Sequence, residues 1–356
     1  MFREPAGPLQ RPTAVRSVKT MLAAFITALA GPELDPAEAA VLRAARPCGI
    51  ILFARNVRDP DQVRRLTDAA REAVGDDILV LIDQEGGRVR RLKPPHWREL
   101  PPAAAYGRLY GNDRGHACSA AALAARLTAA DLRNVGINTN CAPVLDVPVA
   151  GSHDIIGDRA YGAEPGQICD LGLAVAEGYM AGGVLPVIKH IPGHGRATKD
   201  SHLDLPVVSA SRADLESADF AAFRRLAHLP AAMTAHVVFE AIDPDRPASI
   251  SPRVTAEIIR GAIGFDGLLM SDDLGMKALS GHIGERARAV IAAGSDLALV
   301  CSGNLEDTEA VAAVVPQLEA ASLGRFERAR AVFAQQQPFD VAQAEAGLAL
   351  ALRTHA

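Results

Sequence analysis

The architecture turns on Met21-Leu22-Ala23-Ala24-Phe25-Ile26-Thr27-Ala28-Leu29-Ala30-Gly31, which admits two readings. Preceded by Arg3, Arg11, Arg16 and Lys19 and ending on Ala28-x-Ala30, it imitates a secretory leader. Read as a buried strand, it is the first of eight short apolar runs. We take it as the strand, because the rest of the chain supplies only seven comparable runs. It is too short to span a membrane, and no other uninterrupted apolar stretch is long enough.

Beyond the run at about 23–29, the others lie at 49–54, 78–83, 137–141, 183–189, 232–238, 267–272 and 296–301. Most are nearly continuous in apolar character instead of alternating, as expected of parallel strands covered on both faces. Between them fall helical signatures at about 60–74, 113–135, 164–181, 213–227, 252–263, 284–293 and 305–319. Asp35-Pro36 and Ser251-Pro252 each place a capping residue before a proline at the first helical position. Gly136 stops an Ala-rich helix. The pattern predicts an α/β fold of one domain, a (β/α)8 TIM barrel. A doubly wound open sheet is the weaker alternative, since no G-x-G-x-x-G follows a strand. Residues 1–20 read as an N-terminal extension rich in Pro and Arg, and 21–356 as the barrel. Within the latter, 320–356 supplies closing helices and no second domain.

Composition narrows the function. Hydrophobic residues make up 49% of the chain but aromatics only 4%, so the core must be built from Ala, Val, Leu and Ile. The net charge of −5 is dispersed, with no basic block joined to aromatics, which argues against a nucleic-acid partner. The five cysteines include no C-x-x-C pair, against structural zinc, an iron–sulfur site or a disulfide scaffold. A reducing compartment fits that usage best.

Polar residues gather where the apolar runs end: Asp83, Asn140, Lys189, His190, His236 and Asp272. In a barrel those ends form one mouth, where catalytic residues sit. Ile82-Asp83-Gln84-Glu85-Gly86-Gly87-Arg88-Val89-Arg90-Arg91 sets two acids beside a glycine pair and three arginines. Asp83 could accept two sugar hydroxyls, or the cluster could hold a loop by ion pairs. Lys189–His202 gathers three histidines, two lysines and an aspartate around Gly193 and Gly195. Metal binding by His190, His194 and His202 is a rival reading there, but no H-E-x-x-H occurs. Asp200 and His202 could pair so that the carboxylate fixes the imidazole tautomer and raises its basicity. No G-x-S-x-G elbow accompanies them. Asp272, at the end of a strand, could attack an anomeric carbon, with Asp273 turned elsewhere; alternatively both acids cap a helix. Asn140 and Asp146 are candidates to organise the loop carrying Arg159. His236 is either a substrate contact or a buried, satisfied histidine, and Trp97 either a stacking platform or a loop anchor.

With these motifs in place, the chain resembles the bacterial β-N-acetylhexosaminidases of glycoside hydrolase family 3, of the peptidoglycan-recycling type. The resemblance covers about residues 20–335. It rests on 82–91, Ile156-Gly157-Asp158-Arg159, Lys189–Gly195, Asp200-Ser201-His202 and Ser271-Asp272-Asp273-Leu274-Gly275-Met276. It implies a retaining enzyme with Asp272 as nucleophile and His202, paired with Asp200, as acid/base. It assigns sugar binding to Asp83, Arg91, Arg159, Lys189 and His190. The implied substrate is a muropeptide carrying a terminal, non-reducing N-acetylglucosamine, cleaved in the cytoplasm without metal or organic cofactor. Residues 191–204 would have to move to bring His202 to the reaction centre. The competing readings are a β-glucosidase or another specificity of the same family, and a sugar-binding protein without turnover.

Overall fold

The computed structural model describes residues 22–201, 204–318 and 320–353. Its described strands are, in chain order, β1 (Ala23–Ala28), β2 (Pro47–Leu52), β3 (Leu79–Ile82), β4 (Thr139–Asn140), β5 (Leu185–Pro186) and β6 (Ile188–Ile191). They continue with β7 (Val207–Val208), β8 (Ala231–Thr234), β9 (Val238–Phe239), β10 (Asp243–Pro247), β11 (Leu268–Asp273) and β12 (Leu297–Val300).

The contested stretch is a central strand. β1 pairs in parallel with β2 on one edge and β12 on the other. Its Ala24, Ile26 and Ala28 share an apolar cluster with Ile51, Leu81, Met270 and Leu299 inside the barrel. Phe25 faces the other way, into a cluster with Leu274, Val290 and Val311. Thr27 meets Thr308 by a 2.7 Å hydroxyl–hydroxyl hydrogen bond. Both faces of β1 are thus covered, which explains its unbroken apolar run.

Among the described residues the main sheet runs β5-β4-β3-β2-β1-β12-β11-β8-β6, all parallel. β5 and β6 are separated only by Val187, so the fifth strand is one strand in two pieces and the sheet closes into an eight-stranded barrel. The fold is the expected (β/α)8 barrel. Its interior mixes Ile and Leu side chains such as Ile26, Ile51, Leu81 and Leu299 with small ones such as Ala24, Cys48, Cys141 and Ala231, consistent with a chain poor in aromatics.

Helix boundaries follow the local chemistry. Asp35 accepts from the amides of Ala37 and Glu38 at 2.8 and 2.9 Å and starts the helix Pro36–Ala45. Ser251 caps through the Val254 amide at 3.0 Å, but the following Val254–Ala262 winds as a π-helix. Gly136 has φ +78°, and a Cβ there would collide with Thr67. Several expected elements differ in extent. The helix expected over 213–227 breaks into Arg212–Ser217 and Asp219–Arg225. The one expected to 319 ends at Ala312, after which Gln317 bridges antiparallel to Ala23. The run expected over 232–238 leaves the barrel after Thr234. Its end enters a small sheet β10-β9-β7, which the sequence reading missed along with the helix Ala103–Asn112. Short strands at a polar rim lack the contrast that marks core strands.

The helix Ala320–Arg330 closes the barrel floor. Phe326 and Ala329 join the interior cluster, and Arg325 pairs with Asp266 and Asp296 at the starts of β11 and β12. The helix Val341–Arg353 packs on Arg114–Asn134. Among the described residues no helix is long and apolar enough to cross a membrane.

Phe25 is fully buried, so Phe25→Ala should lower unfolding free energy by about 3–5 kcal/mol in a urea titration. A negligible loss would show that 23–28 is not a core strand.

Candidate active site

Parallel strands bring their C-terminal ends to one rim, and the polar residues at those ends meet there. A cavity of about 340 Å³ is lined by Asp83, Glu85, Arg91, Arg159, Lys189, His190 and Asp272. Six of the sequence-derived site residues are therefore together: Asp83, Arg91, Arg159, Lys189, His190 and Asp272. Ile51, Phe53, Val89, Ile155, Met233, Leu299 and Cys301 supply the apolar lining.

Lys189 lies at the centre of the charged side and is 2% exposed. Its Nζ donates to Asp83 at 2.9 Å and lies 2.7 Å from Glu85 Oε1. Asp83 also accepts from Arg91 Nη2 at 3.1 Å. Glu85 receives a two-pronged pair from Arg159, both contacts at 2.8 Å. Burial by itself would push these carboxyls up, but the facing cations prevail. Asp83 is held well below the usual carboxylate range by Lys189 and Arg91. Glu85 is held down to about 2 by Lys189 and Arg159. Burial likewise disfavours the Lys189 ammonium, yet the two carboxylates raise its pKa above the ordinary lysine value.

The 82–91 segment is held by Gln84 and Asn140. Gln84 Oε1 accepts from the amides of Arg91 and Leu92 at 2.8 and 3.0 Å. Asn140 exchanges two 2.9 Å bonds with the Gln84 backbone. Arg88 reaches Asp158 at 2.8 Å and the carbonyls of Asp154, Ile155 and Ile156, binding this segment to the turn that carries Arg159. Asn140 thus organises the 82–91 segment and not the Arg159 loop. Asp146 serves the histidine segment, accepting from His190 Nδ1 at 2.6 Å and from the His194 amide at 2.7 Å. The side chains they reach are set by neighbouring strands, which spacing along the chain does not reveal.

Asp272 and Asp273 both line the cavity but make different contacts, and neither caps a helix. Asp273 is a structural acid: it accepts from the Gly275 and Cys301 amides at 2.9 and 3.0 Å, and burial raises its carboxyl. Among the described residues Asp272 accepts one bond, from the Asp273 amide at 2.8 Å, and it lines the cavity. Against the burial penalty, His190, His236 and Lys189 keep its carboxyl below the ordinary value, so it is ionised at neutral pH. His236 is fully buried and satisfied, with Nδ1 2.6 Å from Ser249 Oγ and Nε2 3.0 Å from the Asp273 carbonyl. Trp97 is buried against His96 and anchors its loop outside the cavity.

Past β6 the backbone doubles back on Val147. Gly195 packs so closely on it that a Cβ would strike the Val147 carbonyl. His194 bonds Ser201 Oγ at 2.9 Å, and Arg196 bonds Asp219 at 2.6 Å. Asp200 is half-buried, and its carbonyl accepts from the Asp204 amide at 3.0 Å. His202 lies outside the described residues. Sequence reasoning treated Glu85 only as part of a motif and missed Phe53 and Cys301. The last two follow β2 and β12, so the strand-end rule that found Asp83 also points to them.

The model of the glycosyl hydrolase family 3 N-terminal domain matches residues 17–331. A β-hexosaminidase of Alkalilimnicola ehrlichii is 39% identical over 302 residues, covering 84% of this chain and 85% of its own. The crystal structure of NagZ from Neisseria gonorrhoeae in complex with N-trifluoroacetyl-D-glucosamine superposes with a TM-score of 0.84 at 32% identity, covering 94% of this chain and 99% of its own. A family 3 β-N-acetylglucosaminidase of Paenibacillus superposes with a TM-score of 0.80 at 31% identity, covering 89% of this chain and 62% of its own.

Removing the Glu85 charge tests the network. The folded-state pKa is depressed from 4.5 to about 2, so its contribution is complete above the unfolded value and lost as pH falls through the folded one. Glu85→Gln should therefore cost about 3 kcal/mol at pH 7, by urea unfolding. The difference from wild type should shrink steadily between about pH 4.5 and pH 2. A pH-independent difference would mean that the charge is not what stabilises.

Proposed function

The chain belongs to glycosyl hydrolase family 3, among its bacterial β-N-acetylhexosaminidases, and from that premise we propose the finer reading that it is a retaining, exo-acting β-N-acetylglucosaminidase. Its substrate is a muropeptide with a terminal, non-reducing N-acetylglucosamine, taken from peptidoglycan fragments during wall recycling in the cytoplasm.

The observation that carries this reading is the Asp272 carboxylate, ionised on a strand end and facing the same cavity as Asp83, Arg91, Arg159, Lys189 and His190. In the first step Asp272 attacks the anomeric carbon and the glycosidic C–O bond breaks. His202, protonated, gives its proton to the departing oxygen. In the second, neutral His202 takes a proton from water, which attacks the same carbon and releases Asp272. Asp200 holds the imidazole in the required tautomer. Asp83, Arg91, Arg159, Lys189 and His190 meet the sugar hydroxyls, and the paired charges keep these donors and acceptors fixed before substrate arrives.

Asp272→Ala should abolish turnover of a nitrophenyl β-N-acetylglucosaminide while leaving the folded circular dichroism spectrum intact. A slow fluorinated amino-sugar substrate should label Asp272 in the wild type. Label on Asp273, or turnover without label, defeats the assignment. The N-acetylglucosaminide should be hydrolysed well ahead of the matching glucoside, and equal rates would refute the substrate class.

His202→Ala should impair substrates with poor leaving groups far more than those whose leaving groups are strongly acidic, because the latter depart without protonation. Equal losses across a series of aryl glycosides would remove His202 from the acid role.

A further inference from the structure

Asp146 has no place on the cavity wall, yet three donors converge on it. It is fully buried, with Oδ2 2.6 Å from His190 Nδ1. Oδ1 accepts from the His194 amide at 2.7 Å and the His190 amide at 3.2 Å. Burial pushes this carboxyl up, but His190 and His194 hold it below the usual range. An ionised carboxylate only accepts, so the hydrogen between the two residues belongs to His190 Nδ1.

The other ring nitrogen then has a defined duty. The His190 ring lines the cavity beside Lys189 and Asp272. Among the described residues Nε2 has no hydrogen-bond partner. It is the nitrogen left to meet a ligand. We propose that Asp146 is a positioning residue that holds His190 as the Nδ1-protonated tautomer and aims Nε2 at a hydroxyl of the bound sugar. This rests on the cavity being the N-acetylglucosaminide site.

The replacement Asp146→Asn preserves size but changes the donor pattern. The two backbone amides still require an acceptor, which turns the new NH2 group toward Nδ1. Nδ1 must then accept, and the ring hydrogen moves to Nε2. An amide in place of a carboxylate spoils a catalytic imidazole in this manner, by imposing the wrong tautomer. Charged or titratable neighbours of the ring are Asp146, His194, His236 and Asp272, and the substitution alters only the first.

Long-range proton–nitrogen spectra of the free protein, with His190→Ala used to assign the ring, read the tautomer directly. The neutral ring of His190 should carry its hydrogen on Nδ1 in the wild type and on Nε2 in Asp146→Asn. With a nitrophenyl β-N-acetylglucosaminide, Asp146→Asn should raise KM about tenfold with a smaller change in kcat. Added to His190→Ala, it should change KM by less than about twofold, because its effect passes through the ring. A wild-type His190 protonated on Nε2, or losses that add in the double variant, would overturn the proposal. If Asp146→Asn does not fold, the wild-type spectrum decides alone. Absence of turnover by the wild type would defeat the hydrolase reading and leave the tautomer result standing.

Discussion

The arrangement depends on one buried ammonium. Lys189 sits at the mouth of an apolar barrel, where an unpaired charge would be costly by several kcal/mol. Asp83 and Glu85 supply the compensation, both from the segment leaving β3. Those carboxylates are themselves buried and need more than one cation, which Arg91 and Arg159 provide. The requirement to pair every charge therefore ties β3, β6 and the turn at 156–159 into one rigid body. A site held this way presents its donors and acceptors without reorganising when a ligand arrives.

Rigidity is distributed to match the proposed chemistry. Asp272 rides on β11, clamped on one side by β8 and on the other by β12, and its neighbour Asp273 secures the turn that follows. A nucleophile benefits from this fixity, since small displacements of the attacking atom are expensive. The histidine segment is fixed by different means. Asp146 gathers the His190 and His194 amides, and Gly195 lies flat on the Val147 backbone. The same segment thus holds its start firmly to the barrel before the chain proceeds to Asp200.

Much of this was legible in the residues. Continuous apolar runs announced strands covered on both faces, and Phe25 with Ile26 in β1 shows why: one faces the helices and the other the barrel interior. Asp83, Lys189 and Asp272 stood out because each closes such a run. The errors cluster where that contrast fades. The small sheet of β7, β9 and β10 is short and partly exposed, and Ser251 correctly started a helix whose π-winding no cap can signal.

The residues alone gave the number of barrel strands and drew Asp83 and Asp272 to the rim, because burial on both faces and side-chain polarity are local properties. The pairing of those residues came from folding. That Glu85 serves Lys189, that Asn140 holds Gln84, and that Asp146 and not a nearer acid meets His190 follow from the order and stagger of strands around the barrel. Those quantities arise when the sheet closes across β5 and β6, and no spacing along the chain encodes them.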